Sequence, residues 1–374
     1  MAAADSGFGD RFWPVWRAIA RDYWAGEGGK ARARRGFLTP PEGRGRVVWI
    51  KAGGTPESLR LGAELVGAVR ERRKDVRIVM TFEHEDPDLL RTWMQPGRRV
   101  GIGYGPSDRP AVVRRVLRRF QPCGIVLAES EPPVHLLRDL QVPVAAVGTR
   151  PASAPVRMAW PLSTQTHRAW ASSGRATELM VPADPQARFA EAQADVVLRV
   201  LAGGEARRLW WWHGDAEQWP ASLAAWRGVE FAGNDVLLAS LESGAGLPQA
   251  SLAASGWDRR KLPGGSILHL DDPRWFAAAA SAAHAIHLAV PGRAALWQSL
   301  AAGAAVTLGA GEASPDPSLP VLAEATAVID QWRGLREDEQ RRRLLGDAAR
   351  RRFWEERRQV DANLAALMDQ VWTW

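Results

Sequence analysis

Cysteine is all but absent from this chain: Cys123 is the single example among 374 residues. One thiol excludes an intramolecular disulfide and a cysteine-based zinc site, and it suits a reducing compartment. Long apolar runs are missing too. No stretch approaches the roughly 18 apolar residues that cross a bilayer, and the N-terminus lacks the uninterrupted apolar core of a signal peptide. The expectation is a cytoplasmic protein, soluble or peripheral on the inner face of the inner membrane. No cluster of His, Cys, Asp and Glu has ligand spacing, so neither a metal nor another cofactor is expected. Internal repeats and low-complexity tails are also lacking.

What is present is a packed globular chain, with 46% hydrophobic and 24% charged residues. Its length suits two domains. The formal charge of +7 and the pI of about 10.3 suit phosphorylated substrates, an anionic membrane face or nucleic acid. Arginine far exceeds lysine and alanine is abundant, so base composition of the coding DNA accounts for part of that excess. The 19 tryptophans are scattered and form no stacking platform for bases. Only Trp210, Trp211 and Trp212 are consecutive, and a buried strand is their expected home.

Residues 8–24 carry Phe12, Trp16, Ile19 and Tyr23 at helical spacing, with Pro14 tolerated in a first turn. A basic run, Lys30 to Arg35, follows. An aromatic helix beside a basic cluster lies in a membrane interface or packs on its own domain or a partner. Residues 1–45 are therefore read as an amphipathic, basic segment, in which residues 8–35 are the candidate for a peripheral membrane contact.

From Arg46 strands and helices alternate. The strands are VVWIKA (Val47 to Ala52), RIVMTF (Arg77 to Phe82), Arg99 to Tyr104, GIVLAE (Gly124 to Glu129) and VPVAAVG (Val142 to Gly148). Helices run from the GGTPE turn through Val69, over Pro110 to Phe120, and over Val134 to Leu140. Residues 151–185, rich in Pro, Ser, Thr and Ala, are read as an interdomain passage. A second alternation then starts with a helix over Gln186 to Leu201. Its strands are RRLWWWH, Asp235 to Leu241, Ser266 to Leu270, Ala285 to Val290 and Ala304 to Gly309. Helices cover Pro273 to Ala283 and Ala294 to Ala302. A charged helical tail follows from Arg336. Such alternation implies parallel sheets covered on both faces, with ligands beyond the carboxyl ends of the strands. The expected class is α/β, a GT-B fold of two Rossmann-like domains facing a central cleft: 46–165, 166–335, then C-terminal helices over 336–374.

Two segments offer chemistry. In KAGGTPES, Gly53 and Gly54 allow a tight turn and Glu57 opens the next helix, where a carboxylate either takes a proton from a hydroxyl or only complements the helix dipole. No GK[ST] follows, so this is not a P-loop. In LAESEPPVHLL, Glu129 and Glu131 end a strand before Pro132 and Pro133, as ligand groups or as a solvated turn.

Both segments resemble the Kdo (3-deoxy-D-manno-octulosonic acid) transferases. That family opens with a strand reading W-[IL]-H-A-x-S-x-G-E, whose final glutamate is the catalytic base. Trp49, Ile50, Ala52 and Glu57 match at that spacing, with Lys51 in place of histidine, Gly54 of serine and Pro56 of glycine. The family then has y-x-P-x-D, a helix, and a strand ending E-T-E-l-W-P-N. Here YGPSD (Tyr104 to Asp108) leads to IVLAESEPP at the same spacing, keeping Glu129 and Glu131. PVAAVGTRPAS retains Pro143 and Arg150 of the family's P-v-x-x-v-N-A-R-L-S. The resemblance spans about residues 46–153 in order. It implies Glu57 and Glu131 as catalytic residues, with Lys51, Gly53, Gly54, Glu129 and Arg150 around the substrate.

The second half departs further. His213 stands near the family's S-T-H histidine, and Asp271 or Asp272 where a nucleotide-site aspartate lies. Gln298 and Ala295 replace a glutamate and an asparagine, and LASLESG replaces P-R-H. The resemblance assigns the nucleotide site to His213, Asp271, Asp272, Arg293 and Gln298. It implies a metal-independent, inverting glycosyltransferase that moves a sugar acid from a CMP-activated donor such as CMP-Kdo to a membrane glycolipid. The losses in the second half point to an alternative: a degenerate GT-B protein acting as a binding partner or scaffold at a membrane. Nucleic acid is disfavoured, because the arginine helix at 114–119 has no recognised motif beside it.

Overall fold

A computed structural model describes residues 28–87, 90, 99–191, 198, 207–242, 247, 252–290, 292–310 and 319–374. The expected helix over 8–24 lies outside the described residues, as does most of the one over 186–201. The chain forms two compact units. Unit 1 holds residues up to Pro185 together with Gln359–Trp374, and unit 2 holds Gln186–Arg358.

Unit 1 is built on a seven-stranded sheet in the order β3-β2-β1-β4-β5-β6-β7. Its strands are β1 (Val47–Ala52), β2 (Arg77–Phe82), β3 (Val100–Tyr104), β4 (Pro122–Ala128), β5 (Val144–Val147), β6 (Val156–Trp160) and β7 (Ala176–Leu179). All neighbours are parallel. All six residues of β1 are buried, the burial expected of a central parallel strand covered on both faces. Its Trp49 packs edge-on to Phe120 at 5.3 Å and donates to Thr81 Oγ1 at 2.9 Å.

The helices are α1 (Gly28–Arg34), α2 (Pro56–Arg72), α3 (Pro110–Phe120), α4 (Val134–Asp139) and α5 (Thr164–Ser173). Helix α2 starts where the sequence says it should: Thr55 caps it, its hydroxyl accepting from Ser58 N at 3.2 Å, and Pro56 needs no partner at the first helical position. Residues 151–185, read above as a passage, form β6, α5 and β7 instead. Their strands are short and interrupted by polar residues, so the period-2 signal was weak, yet Val156, Met158 and Trp160 are buried. The units accordingly divide at Pro185, not near residue 165.

Unit 2 carries a six-stranded parallel sheet ordered β10-β11-β9-β8-β12-β13. These are β8 (Leu209–Gly214), β9 (Val236–Leu241), β10 (Leu252–Ala253), β11 (Ile267–His269), β12 (Ala285–Leu288) and β13 (Ala305–Leu308). The three consecutive tryptophans do form a buried strand, β8. Trp210 and Trp212 face one core with Trp219, Trp226 and Trp332, while Trp211 turns to the other face and meets Phe276 at 5.2 Å, as strand alternation requires. The helices are α6 (Trp219–Arg227), α7 (Phe276–Ala282), α8 (Arg293–Ala302), α9 (Ala325–Glu337) and α10 (Glu339–Trp372).

Helix α10 does not stay with unit 2. From Gln359 the chain belongs to unit 1, which splits the expected 336–374 tail. Arg73 Nη1 donates to the carbonyls of Val371 and Trp372 at 3.1 and 2.9 Å. The Trp374 ring lies against Gly124 so closely that a Cβ there would stand 2.0 Å from it.

Candidate functional site

In unit 1 the strand order reverses at β1, between β2 and β4. Doubly wound sheets bind ligands at such a switch point, beyond the carboxyl ends of the strands. The turns after β1 and β4 meet there. Gly53 N donates to Ala128 O at 3.2 Å, and a Cβ on Gly53 would stand 2.2 Å from Glu129 O. Only glycine lets the two turns approach this closely. Glu57 follows in the first turn of α2, half-buried.

Glu129 itself is left-handed, with φ of 47°. Its N–H donates to Val147 O at 2.8 Å, and its side chain crosses Gly148, whose Cβ would lie 2.5 Å from Glu129 Cγ. A left-handed glutamate costs about 1–3 kcal/mol and persists only when its surroundings enforce it. Both neighbours that touch it, Gly53 and Gly148, leave room for it. Glu131 is exposed and lines a cavity of about 590 Å³ with Arg34, Glu83, Tyr104 and Asp108. Asp108 is occupied: its carboxylate accepts from His135 N and Leu136 N at 3.0 and 2.9 Å. It thereby pins the start of α4 and the Glu131–Pro133 bend that precedes it.

Lys51 is buried to 7% exposure and pairs with Glu83 Oε1 at 3.3 Å. Burying an ammonium requires such a partner. Gly54 faces the same carboxylate. Arg150 is exposed beyond β5. The structure thus joins Gly53 to Glu129 by direct contact and Lys51 to Gly54 through Glu83, adds Glu131 through the cavity, and leaves Arg150 on the surface at the same edge. Sequence reasoning missed Glu83. Its signal was available: FEHED places several carboxylates directly after a buried strand.

In unit 2 the order reverses at β8. His213, near the end of β8, is 1% exposed. Its Nδ1 lies 2.8 Å from Ser240 Oγ and its Nε2 2.8 Å from Glu242 Oε2. Ser240 Oγ also accepts from Trp211 Nε1 at 2.9 Å. With Nε2 donating to the Glu242 carboxylate, a neutral imidazole leaves Nδ1 to accept from the Ser240 hydroxyl. One donor chain therefore runs Trp211, Ser240, His213, Glu242. The Glu242 carboxylate also covers Gly292, the residue before α8: a Cβ there would stand 2.0 Å from Oε2. An internal anion thus occupies the one outward-pointing donor of His213 beside the start of Arg293–Ala302.

The remaining unit 2 candidates have local partners. Asp271 accepts from Ser255 N at 3.1 Å and from its hydroxyl. Asp272 caps Arg274 N at 2.8 Å and pairs with its guanidinium at 2.6 Å, which holds its carboxyl below the usual range. Gln298 accepts from Glu191 N at 3.2 Å. Arg293 opens α8 next to Glu242. His213 and the start of α8 therefore meet at Glu242, while Asp272 and Gln298 are committed elsewhere. Glu242 and Ser240 were missed; the LASLESG segment was noted only for the cations it lacks. Among the described residues, no group of three or more His, Cys, Asp or Glu is placed to hold a metal ion, and no helix is long and apolar enough to cross a membrane.

Residues 30–177 match the family model described as 3-deoxy-D-manno-octulosonic-acid transferase. The match ends inside unit 1. No curated protein matches the chain. Among solved structures, the S. aureus MnaA–UDP co-structure is similar with a TM-score of 0.52 and 11% identity, covering 81% of this chain and 91% of that one. UDP-GlcNAc 2-epimerase from Neisseria meningitidis bound to UDP-GlcNAc is similar with a TM-score of 0.51 and 9% identity, covering 80% and 94%. At these identities the likeness concerns the fold: two Rossmann-like units of the GT-B class.

Proposed function

We propose that the chain is a glycosyltransferase that moves a sugar acid from a CMP-linked donor to a hydroxyl of a membrane glycolipid, a reading supported by the match of residues 30–177 to the Kdo transferase family model. Glu57 takes the proton of the acceptor hydroxyl. That oxygen attacks the anomeric carbon, and the bond from that carbon to the nucleotide phosphate breaks with its electron pair leaving on CMP. Configuration inverts, and no metal takes part. Glu131 and Glu129 orient acceptor hydroxyls, while Lys51 and Arg150 line the same edge. His213, Arg293 and the start of α8 receive the nucleotide phosphate; Asp271, Asp272 and Gln298 shape the turn and helix around them. Contact with the inner face of the inner membrane runs through residues 8–35.

The observation that carries this reading is the meeting of the β1 and β4 turns at the unit 1 switch point, Gly53 against Glu129 O. It brings the segment bearing Glu57 beside the segment bearing Glu129 and Glu131, within the stretch that matches the family. The test is transfer of labelled Kdo from CMP-Kdo to a lipid A-type acceptor. Wild-type transfer is expected, with Glu57→Gln slower by about 10³-fold, the range of a lost general base, and with an unchanged melting temperature. Full activity in Glu57→Gln would remove the assigned base.

Glu242 favours a second reading. With an internal carboxylate on His213, unit 2 suits a protein that no longer binds a donor and serves as a scaffold. Calorimetry with CMP, CMP-Kdo and UDP-sugars separates the two: heat with none of them supports the scaffold.

A further inference from the structure

The surface around Phe37 concentrates positive charge, without acidic counterions among the described residues. Phe37 is 37% exposed. The guanidinium carbons of Arg115, Arg35 and Arg119 lie over its ring, at 4.6, 5.5 and 5.5 Å from the centroid. Arg114 and Arg118 extend the group along α3, whose buried face is Val113, Val116 and Phe120. Among the described residues none of these five arginines has a carboxylate partner. Their hydrogen bonds go to backbone carbonyls: Arg115 to Arg35 O, Arg119 to Leu38 O, Arg114 to Pro110 O and Arg118 to Arg114 O. Like charges gathered this way repel one another. The ring quadrupole and the carbonyls offset only part of that.

We infer that Phe37 with Arg35, Arg114, Arg115, Arg118 and Arg119 forms a docking surface for an anionic lipid bilayer. Long arginine stems around one exposed aromatic ring match the bilayer interface, where the ring enters the headgroup level and the guanidinium groups meet lipid phosphates. Nucleic acid fits less well. The ring is already occupied by guanidinium groups, and among the described residues no second exposed aromatic in the cluster continues a stacking ladder. The surface deepens the membrane contact proposed above and shifts its centre from residues 8–35 to α3. It does not rest on transferase activity.

The test is flotation of the full chain with phosphatidylcholine vesicles, with and without about 30 mol% phosphatidylglycerol. Binding is expected only to the anionic vesicles, and to fade at about 0.5 M salt as charges are screened. Arg114→Gln with Arg118→Gln should weaken partitioning about 30-fold. Both side chains bond only carbonyls of their own helix or its first turn, so the fold should stay intact, and a melting curve checks this. Phe37→Ala should lose a further factor of about ten. Equal binding to neutral vesicles, or a double variant that floats like the wild type, would overturn the surface. If only Trp13→Ala with Trp16→Ala abolishes flotation, the contact belongs to the N-terminal segment and the surface falls while the broader reading stands. Binding to single-stranded RNA without vesicle binding overturns both. A transfer assay on detergent-solubilised acceptor is indifferent to these variants, so failure of the glycosyltransferase reading shows itself separately.

Discussion

Unit 1 and unit 2 place charged groups at the same topological position with opposite outcomes. In unit 1 the buried cation, Lys51, is neutralised by Glu83, and Glu131 remains exposed on the cavity. In unit 2 the donor of His213 is taken by Glu242. The first arrangement leaves the exposed Glu131 on the cavity that the proposed acceptor would enter. The second makes any incoming phosphate compete with a carboxylate already seated. The family match, over residues 30–177, lies within the first.

The strongest way to break this contrast is Gly53→Ala. Its Cβ would fall 2.2 Å from Glu129 O, a backbone atom that cannot swing aside. A loss of about 3 kcal/mol or more is expected in unit 1, read as faster amide exchange in β1 and β4 with β8 and β9 unchanged. Equal effects in both units would mean that they unfold together.

Acid should act the other way round, because unit 2 holds the buried histidines. Burial lowers His287 to about 4. Burial, then Arg342, Arg208 and Arg336, lower His284 to about 3. From the ordinary value of 6.5, the unfolded chain takes up these protons first as the pH falls. Stability of unit 2 is therefore fully present above about pH 6.5 and declines toward pH 4, by at most about 3 kcal/mol for His287. Denaturant melts at pH 7 and pH 5 measure this, and His287→Gln should flatten the slope. The smallest expected effect is at Glu242. Glu242→Gln removes an anion where a phosphate would sit, and CMP affinity should rise about tenfold by calorimetry. No change would mean that the nucleotide, if bound, does not use His213.

Much of the framework was legible because buried parallel strands are short apolar runs. VVWIKA, RLWWWH and AIHLAV declared themselves this way, and the GGTPE turn declared the start of α2. Strands β6 and β7 did not, since MAW and ATEL sit among Pro, Ser and Arg. At the site, Gly53 and Glu129 were readable from the motif, but their contact was not: it depends on two turns far apart in sequence. The partners of Glu83 and Glu242 were invisible for a related reason. Each matters through one partner, Lys51 or His213, and pairing across strands leaves no spacing rule in the chain.

The return of α10 has a consequence for synthesis. Residues 359–374 complete unit 1 by bringing the Val371 and Trp372 carbonyls to Arg73 and the Trp374 ring to Gly124. A ribosome delivers unit 2 before it delivers them. The first unit to be translated is therefore the second to be finished, and its β1–β4 region must wait, with its Trp374 site open, until unit 2 has emerged. Chains stalled anywhere between Gln186 and Arg358 would expose that unfilled surface, which is where a holding chaperone would find them.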